Sequence, residues 1–290
     1  MDRSPAAAGS PGLTGSRFRL RGGREVHRLG FGAMRITGPG IWGPPQDRSQ
    51  AIEVLRRAVA LGVELIDTAD SYGPNVSEEL IAEALFPYPE GLVIATKGGL
   101  TRGGADDWRR DARPEHLIAA CEGSLKRLRI ECIELYQLHA PDPRVPYEDS
   151  VGALAKLKSQ GKIRHVGVSN VTTRELERAR AIVEIVSVQN RYNIAERTSD
   201  AVLAVCEREN IAFLPWSPLS AGPSARALAR AAAVGHRLGA TPAQVALAWL
   251  LARSPVMLPI PGTASVAHLQ ENLAAEQLRL SAADLAELAR

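Results

Sequence analysis

The chain alternates short apolar runs with longer segments whose apolar residues recur at helical spacing. Strand-like runs end at Asp67, Lys97 and His139, and a helical pattern follows each of them. Strand–helix alternation implies parallel strands. Counted from Leu29 there are about eight strands, and roughly 250 residues of such units have the size of a (β/α)₈ TIM barrel. The sequence therefore predicts an α/β fold of this type.

Local signals predict where several elements begin. Ser49 is expected to cap the first long helix, Thr172 or Thr173 the helix that follows residues 165–169, and Thr241 a later helix, in which Gln244 completes a capping box. A polar loop is expected after Lys97, and residues 256–259 are expected to form the last strand.

An open, doubly wound sheet is the structural alternative that the same alternation allows. Such sheets usually carry a glycine-rich phosphate turn, G-x-G-x-x-G, after the first strand. Gly30 and Gly32 begin this pattern, but Arg35 occupies the position of the last glycine. The barrel is therefore the favoured prediction.

The start of the chain differs from the rest in composition. Residues 1–16 are rich in Ala, Gly, Pro and Ser and lack the apolar core of a secretory signal, which predicts a disordered tail. Residues 17–28 read as a β-hairpin that turns at Gly22 and Gly23. The predicted organisation is a disordered tail over 1–16 and a single barrel domain over 17–290.

Composition argues against several classes of function. The 35 Lys and Arg exceed the 32 Asp and Glu by only three charges, which indicates no nucleic-acid partner. No apolar run approaches the roughly 20 residues of a membrane span. Cys121, Cys132 and Cys206 are far apart in sequence, which predicts reduced thiols in a cytoplasmic protein and provides no clustered metal ligands.

Four side chains converge where the predicted strands end. Asp67 closes a buried run, and a buried carboxylate requires a partner. Lys97, near the end of the next run, is the candidate cation, and His139 follows the third run. Tyr72 lies in the turn-rich loop after Asp67. Because the carboxyl ends of barrel strands build the active site, these residues are candidate catalytic groups.

Their chemistry fits proton donation to an oxygen that gains negative charge. A free tyrosine has a pKa near 10, and a neighbouring ammonium lowers it. Lys97, held by Asp67, is expected to act on Tyr72 in this way, while His139 donates a hydrogen bond to a substrate oxygen. Carbonyl reduction needs such a set, although a cofactor must supply the hydride. Taken singly, the same residues also fit an ion pair, rim packing and a buried imidazole.

Seven motifs resemble the aldo-keto reductase family, in order and at the expected strand ends, and the resemblance extends from Leu29 to the C-terminus. These motifs are Asp67-Thr68-Ala69-Asp70-Ser71-Tyr72, Thr96-Lys97, Gln137-Leu138-His139, Gly167-Val168-Ser169-Asn170, Val188-Gln189-Asn190, Trp216-Ser217-Pro218-Leu219 and Ile260-Pro261-Gly262-Thr263. The chain is most similar to the bacterial, mainly actinobacterial, oxidoreductases of broad specificity in that family.

This resemblance implies a (β/α)₈ barrel that binds NADPH without a Rossmann fold. It makes Tyr72 the proton donor, with Lys97 lowering its pKa, Asp67 positioning Lys97 and His139 polarising the carbonyl that receives the hydride. The implied cofactor contacts are Ser169, Asn170 and Gln189 at the carboxamide, Trp216 at the nicotinamide ring, and Ser217, Leu219 and Gly222 at the pyrophosphate. At the other end of the cofactor they are Gly262 and Thr263 at the adenosine phosphate, His268 at the 2′-phosphate, and Glu271 and Asn272 at the adenine.

His268 departs from the family pattern, in which many members place an arginine against the 2′-phosphate. Arginine offers a permanently charged fork that matches phosphate, and neutral histidine does not. NADPH is the predicted cofactor, with NADH possible through weak discrimination that depends on the protonation of His268.

Apolar residues outside these motifs are candidates for the substrate pocket. Phe31, Met34 and Trp42 lie on the first predicted strand and its loop, and Trp108 lies in the long loop after Lys97. Each of them also fits ordinary packing. Better-known members of the family carry a long C-terminal tail over the pocket, whereas this chain stops soon after its last helix. The resemblance therefore implies an open site with broad, weak selectivity among small-molecule aldehydes and ketones. The protein is expected to be a monomer or a homo-oligomer.

Two other classes of function are compatible with the predicted fold. A cofactor-binding redox sensor, like the potassium-channel β subunits that share the barrel, would bind the cofactor with little turnover. A metal-dependent hydrolase would need clustered histidines and carboxylates at strand ends, where only His139 is suitably placed. The four catalytic candidates favour the reductase.

Overall fold

The computed structural model describes Leu13 and residues 15–219 and 225–290. The chain begins with an antiparallel hairpin of β1 (Arg17–Arg19) and β2 (Glu25–His27), in which Phe18 pairs with Val26. This agrees with the hairpin predicted for residues 17–28. Residues 1–12 and 14 lie outside the described part, so the disordered tail stays a prediction. Leu13 belongs to the predicted tail and is described, and its amide donates to the Leu61 carbonyl.

Seven parallel strands form one sheet in the order β3-β4-β5-β8-β9-β10-β11. The strands of the chain after the first hairpin are β3 (Phe31–Gly32), β4 (Leu65–Asp67), β5 (Val93–Gly98), β6 (Leu100–Arg102), β7 (Trp108–Arg110), β8 (Ile133–Leu138), β9 (Ile163–Ser169), β10 (Ile185–Gln189) and β11 (Ala212–Phe213). The side chains of the seven strands in the parallel sheet are almost all buried, because helices cover the outer face of the sheet.

Residues 256–261 connect the two edges of this sheet. Met257 forms a parallel bridge with Phe213, and the Leu258 amide donates to the Phe213 carbonyl at 2.8 Å. On the other side, the Gly30 amide donates to the Pro259 carbonyl at 2.9 Å. The sequence predicted a regular strand here, but prolines 259 and 261 have no amide hydrogen to continue a ladder. The prediction of an α/β barrel is confirmed.

The helices follow the predicted rhythm. They are α1 (Arg48–Ala60), α2 (Val76–Leu85), α3 (Pro114–Leu128), α4 (Tyr147–Ser159), α5 (Thr173–Arg180), α6 (Asp200–Glu209), α7 (Ala225–Leu238), α8 (Pro242–Arg253), α9 (Val266–Ala274) and α10 (Ala282–Ala289). Across the described ranges, none of them is long and apolar enough to cross a membrane. Thr172 and Thr241 form the expected N-terminal caps of α5 and α8.

Two local features differ from the sequence interpretation. Asp47, and not Ser49, caps α1, because the Asp47 carboxylate accepts a 2.9 Å bond from the Gln50 amide. The polar segment after Lys97 is not a simple loop but contains the antiparallel hairpin of β6 and β7, with Arg102 opposite Trp108. This hairpin stands beside the carboxyl ends of the strands.

Candidate active site

Adjacent strands of the sheet bring Asp67 and Lys97 into contact. The Lys97 ammonium lies 2.7 Å from the Asp67 carboxylate and donates to the Thr68 carbonyl, also at 2.7 Å. Its third contact is the Tyr72 hydroxyl at 3.3 Å. The Lys97 side chain is fully buried and that of Asp67 is 3% exposed. The ammonium therefore contacts the Asp67 carboxylate, the Thr68 carbonyl and the Tyr72 phenol. The sequence had already grouped Asp67, Lys97 and Tyr72.

Two glutamine side chains satisfy the other oxygen of Asp67. Gln189 donates to it at 2.7 Å and Gln137 at 3.2 Å, and both residues are buried. Ser187 in turn donates to Gln137 at 3.3 Å. A buried carboxylate is stable when both of its oxygens have hydrogen-bond donors, and Asp67 meets this condition. Sequence reasoning gave Gln137 no role, although it lies two residues before His139 in a matched motif.

Burial and charge act in opposite directions on this pair. Burial is the largest single influence and lowers the pKa of Lys97, but the charges of Asp67 and Tyr72 and the hydrogen bonds to both together outweigh it, so the net pKa is raised and the amine stays protonated. Burial raises the pKa of Tyr72, and the Lys97 charge only partly offsets that effect. The net pKa of Tyr72 is thus raised, contrary to the expected lowering, because desolvation of a tyrosinate outweighs one ammonium.

His139 is held beside Tyr72 as a neutral imidazole. Burial, together with the charge of Lys97, holds the pKa of His139 well below its usual range. The two rings are 5.8 Å apart and nearly perpendicular, and the Ser71 hydroxyl is 3.4 Å from the His139 Nδ1 atom. If Ser71 donates to Nδ1, the ring proton lies on Nε2, which can then donate to a ligand oxygen.

A cavity of about 590 Å³ opens above this set at the carboxyl end of the barrel. Its lining brings most of the predicted site residues together. The lining residues are Gly32, Met34, Arg35, Asp67, Tyr72, Leu100, Trp108, His139, Ser169, Asn170, Gln189, Trp216, Ser217, Pro218, Leu219, Ile260, Pro261 and Gly262.

A second network of hydrogen bonds orders another part of the cavity wall. The Trp216 indole donates to the side-chain oxygen of Asn170 at 3.0 Å, and the side-chain amide of Asn170 donates to the backbone carbonyl of His139 at 2.9 Å. Ser169 donates to the Gln189 carbonyl at 2.6 Å. Asn170 and Ser217 both have left-handed backbones, with φ of 58° and 55°. Such conformations of non-glycine residues concentrate at ligand sites.

Close backbone approach shapes the far wall of the cavity. A Cβ atom at Gly32 would lie 2.6 Å from the Ile260 carbonyl, and one at Gly262 would lie 2.5 Å from the Gly32 carbonyl. Beyond Gly262, Ser265 caps the start of α9, and its hydroxyl accepts a bond from the His268 amide. The His268 side chain is exposed in this first turn. This end of the site can accept an anionic group.

Several predicted cofactor residues lie beyond the cavity. Thr263 is buried and accepts a bond from the Ser265 amide at 3.0 Å. Glu271 accepts a 2.6 Å bond from the Thr241 hydroxyl, which ties α9 to α8, and Asn272 is buried on α9. Gly222 lies outside the described residues.

The predicted substrate wall is partly different in the structure. Met34 and Trp108 line the cavity, whereas Phe31 does not, because its side chain is fully buried in the hydrophobic core. Trp42 does not line the cavity either; it is 39% exposed, with the Arg102 guanidinium 5.8 Å from its ring. Arg35 and Leu100 line the cavity, and no motif in the sequence pointed to either.

The described residues offer no comparable grouping of side chains for binding a metal ion. Over residues 15–219 and 225–290, no three His, Cys, Asp or Glu side chains are grouped so that they could hold an ion. The polar groups at the carboxyl end of the barrel are instead donors to oxygen: an ammonium, a phenol, an imidazole and side-chain amides.

The chain is similar to known proteins over nearly its whole length. The chain is 47% identical to an uncharacterized oxidoreductase of Schizosaccharomyces pombe, C215.11c, over 92% of this chain and 87% of that one. It is also 47% identical to the pyridoxine 4-dehydrogenase of Escherichia coli, over 93% and 96% of the two chains. An aldo-keto reductase of Klebsiella pneumoniae, crystallised with NADPH, superposes with a TM-score of 0.81 at 28% identity, over 95% and 94%.

The match to a family is equally extensive. Residues 28–290 fit the sequence profile of the Aldo/keto reductase family, and that range contains every described site residue. The chain therefore belongs to the aldo/keto reductase family.

Proposed function

We propose that this protein reduces aldehydes and ketones to alcohols with NADPH, and that Tyr72 donates the proton. The observation that carries the proposal is the contact of the Tyr72 hydroxyl with the Lys97 ammonium at 3.3 Å, beneath a cavity that His139 also lines. We infer that residues 256–261 take the eighth strand position of a (β/α)₈ barrel, which puts this set at its carboxyl end.

The residues around the cavity fit a nicotinamide cofactor. Trp216 offers an aromatic face, and the side-chain amides of Asn170 and Gln189 offer partners for a carboxamide. Gly32 and Gly262 leave space where a side chain would collide with backbone. The capped start of α9 suits a phosphate. A reduced nicotinamide supplies the hydride that no side chain can provide.

The protein's own residues account for the proton and for the polarisation of the carbonyl. Neutral His139 donates a hydrogen bond to the substrate oxygen without a competing proton transfer. Tyr72, protonated because burial raises its pKa, gives its proton to that oxygen as negative charge develops there. Lys97 then stabilises the tyrosinate that forms, and Asp67 keeps the ammonium in place.

We further propose that NADPH is preferred over NADH only weakly. The Klebsiella neighbour was crystallised with NADPH. Here, however, the exposed residue in the first turn of α9 is His268, which lacks the permanently charged fork of an arginine. Titration of cofactor fluorescence should show that His268→Arg binds NADPH more tightly than the wild type does, with little change for NADH. An equal effect on both cofactors would remove His268 from this role.

The substrate is proposed to be a small carbonyl compound whose class includes ring aldehydes. A pyridoxine 4-dehydrogenase is 47% identical to this chain, and its name indicates a heteroaromatic alcohol. In this chain Trp108, Met34 and Leu100 give the cavity an apolar wall. Pyridoxal, benzaldehyde and short aliphatic aldehydes therefore form the first panel to assay.

The test follows the absorbance of NADPH with this panel in the wild type and two variants. Tyr72→Phe should lose about 10³-fold or more in rate because it removes the proton donor. Tyr147→Phe is the matched control, since the Tyr147 hydroxyl is buried on α4 without a hydrogen-bond partner among the described residues. Binding of NADPH without turnover of any aldehyde would favour the sensor interpretation instead.

A further inference from the structure

We propose that Arg102 is a positioning residue that fixes the Trp108 ring beside Tyr72 and His139, and thereby favours planar ring aldehydes over branched aliphatic ones. The proposal rests on the reductase function proposed above. Arg102 itself does not line the cavity, so it acts through Trp108.

The Arg102 guanidinium joins three segments that meet above the active site. It donates to the Ile41 carbonyl at 2.8 Å and the Gly40 carbonyl at 2.9 Å, in the loop after β3. It also donates to the Gly104 carbonyl at 3.1 Å and to the Ala105 carbonyl, in the turn of the β6–β7 hairpin. A longer contact of 3.4 Å reaches the Ser71 carbonyl, next to Tyr72.

The same guanidinium stacks on the Trp108 indole. The Arg102 Cζ atom lies 3.6 Å from the ring centroid, and the two residues face each other across the hairpin. The Trp108 ring makes edge contacts with Tyr72 and with His139, each at a centroid distance of 6.4 Å. Trp108 is 37% exposed, so core packing alone does not hold it. A cation–π contact of this geometry supplies the missing restraint.

Only arginine suits this position. Its planar fork directs several N–H groups to carbonyls in one plane while its face stacks on an indole. A lysine keeps the charge but offers a point donor that cannot do both. The Nε atom of Arg102 is buried without a partner in the described structure, which shows that the two terminal nitrogens make the bridging contacts.

A fixed indole wall has a consequence for specificity. An aromatic pair in a favourable arrangement contributes about 0.5–1.5 kcal/mol beyond area burial. A flat ring aldehyde gains this contact with Trp108 when the indole is held still. A branched aliphatic aldehyde gains little from it. Releasing Trp108 should therefore weaken the binding of ring aldehydes selectively.

The first arm of the test needs no turnover. The near-UV circular dichroism signal of Trp108 is obtained by subtracting the spectrum of Trp108→Phe from that of the wild type, both recorded without cofactor. Arg102→Met should lose most of this difference signal, and Arg102→Lys should lose about half of it. Arg110→Met on the same hairpin is the matched control and should retain it. If Arg102→Met keeps the full signal, Trp108 is held by something else and the proposal is overturned.

The second arm measures KM and kcat for benzaldehyde and isobutyraldehyde. Arg102→Met should raise KM for benzaldehyde about three- to tenfold, with kcat and the KM for isobutyraldehyde changed less than about twofold. In a Trp108→Ala background the same substitution should have no further effect on KM. Additive effects, or equal losses for both aldehydes, would overturn the proposal. If the wild type reduces neither aldehyde, it is the proposed function that fails, while the dichroism arm still tests the restraint on Trp108.

Discussion

At the scale of single residues, Lys97 has two roles that are separable by mutation. It neutralises buried Asp67, and it touches the Tyr72 hydroxyl. Breaking a buried ion pair from one side leaves an uncompensated charge, whereas removing both charges leaves none. Stability and catalysis should therefore respond differently to single and double substitutions.

The substitution Lys97→Met should lower the free energy of unfolding by about 3–5 kcal/mol. It should also slow aldehyde reduction by about 10²–10³-fold. The double variant Asp67→Asn/Lys97→Met should recover most of the stability but none of the rate. Urea denaturation and steady-state assays measure the two quantities. Recovery of activity together with stability would show that Lys97 has only a structural role.

The pH dependence of reduction should follow Tyr72 alone. Reduction needs the protonated phenol, and burial raises the pKa of Tyr72, so activity is present below that pKa and lost above it. His139 stays neutral because its pKa is lowered. We expect kcat/KM to be constant from about pH 7 to 9 and to fall only above about pH 10. A limb centred near pH 7 would implicate a different acid.

At the scale of elements, the loop between β4 and α2 contains a second buried carboxyl group. Asp70 is partly exposed as a residue, but its Oδ1 atom is buried without a hydrogen-bond partner among the described residues. Burial, reinforced by the nearby charge of Glu78, raises the pKa of Asp70 to about 8. The carboxyl is therefore protonated at neutral pH in the folded protein and ionised in the unfolded chain.

Between about pH 4 and 8 the Asp70 carboxyl thus holds a proton in the folded state but not in the unfolded state. The stability that this protonation contributes is therefore lost as the pH rises. Asp70→Asn should remove this loss. We expect the variant to match the wild type near pH 4 and to exceed it by a difference that grows to about 5 kcal/mol at pH 8 in urea denaturation. Asp149→Asn, at an exposed position, is the control. A pH-independent difference would contradict the raised pKa.

The sequence predicted which segments are helices and strands better than it predicted short polar strands and irregular segments. Helical periodicity and the caps at Thr172 and Thr241 are local signals, and the structure confirms both caps. The hairpin of β6 and β7 was missed because its strands are three residues each and polar, so no alternation of apolar residues marks them. Prolines 259 and 261 interrupted a predicted strand whose role in joining the sheet edges depends on tertiary contacts.

At the scale of the whole molecule, the site depends on contacts that no local pattern encodes. The strand ends could be predicted to converge because parallel barrels place them together. The sequence could not show that Gln189 turns its amide to Asp67, 122 residues earlier, or that Arg102 binds carbonyls 61 and 62 residues earlier. Phe31 was assigned to the pocket because strand alternation alone does not show which face a two-residue strand presents.

The two edges of the sheet approach each other closely at Gly32, beside the cavity, so the absence of a side chain there matters for stability. A Cβ at Gly32 would meet the Ile260 carbonyl at 2.6 Å, whereas nothing lies within 4 Å of a Cβ at Gly152 in α4. Gly32→Ala should cost about 1–3 kcal/mol through overpacking, and Gly152→Ala should gain about 0.5–1 kcal/mol. Thermal unfolding compares them. Equal effects would mean that the two edges of the sheet approach less closely than the structure indicates.

The most direct test of the central claim is the fate of deuterium carried at C4 of NADPH. The wild-type protein is incubated with each C4-deuterated stereoisomer and benzaldehyde in ordinary water, and the alcohol is analysed by mass spectrometry. We expect one stereoisomer to transfer its deuterium to the carbinol carbon, and Tyr72→Phe to bind the same cofactor with an unchanged dissociation constant while forming almost no labelled alcohol. Unlabelled alcohol from both stereoisomers, or full labelling by Tyr72→Phe, would contradict the account.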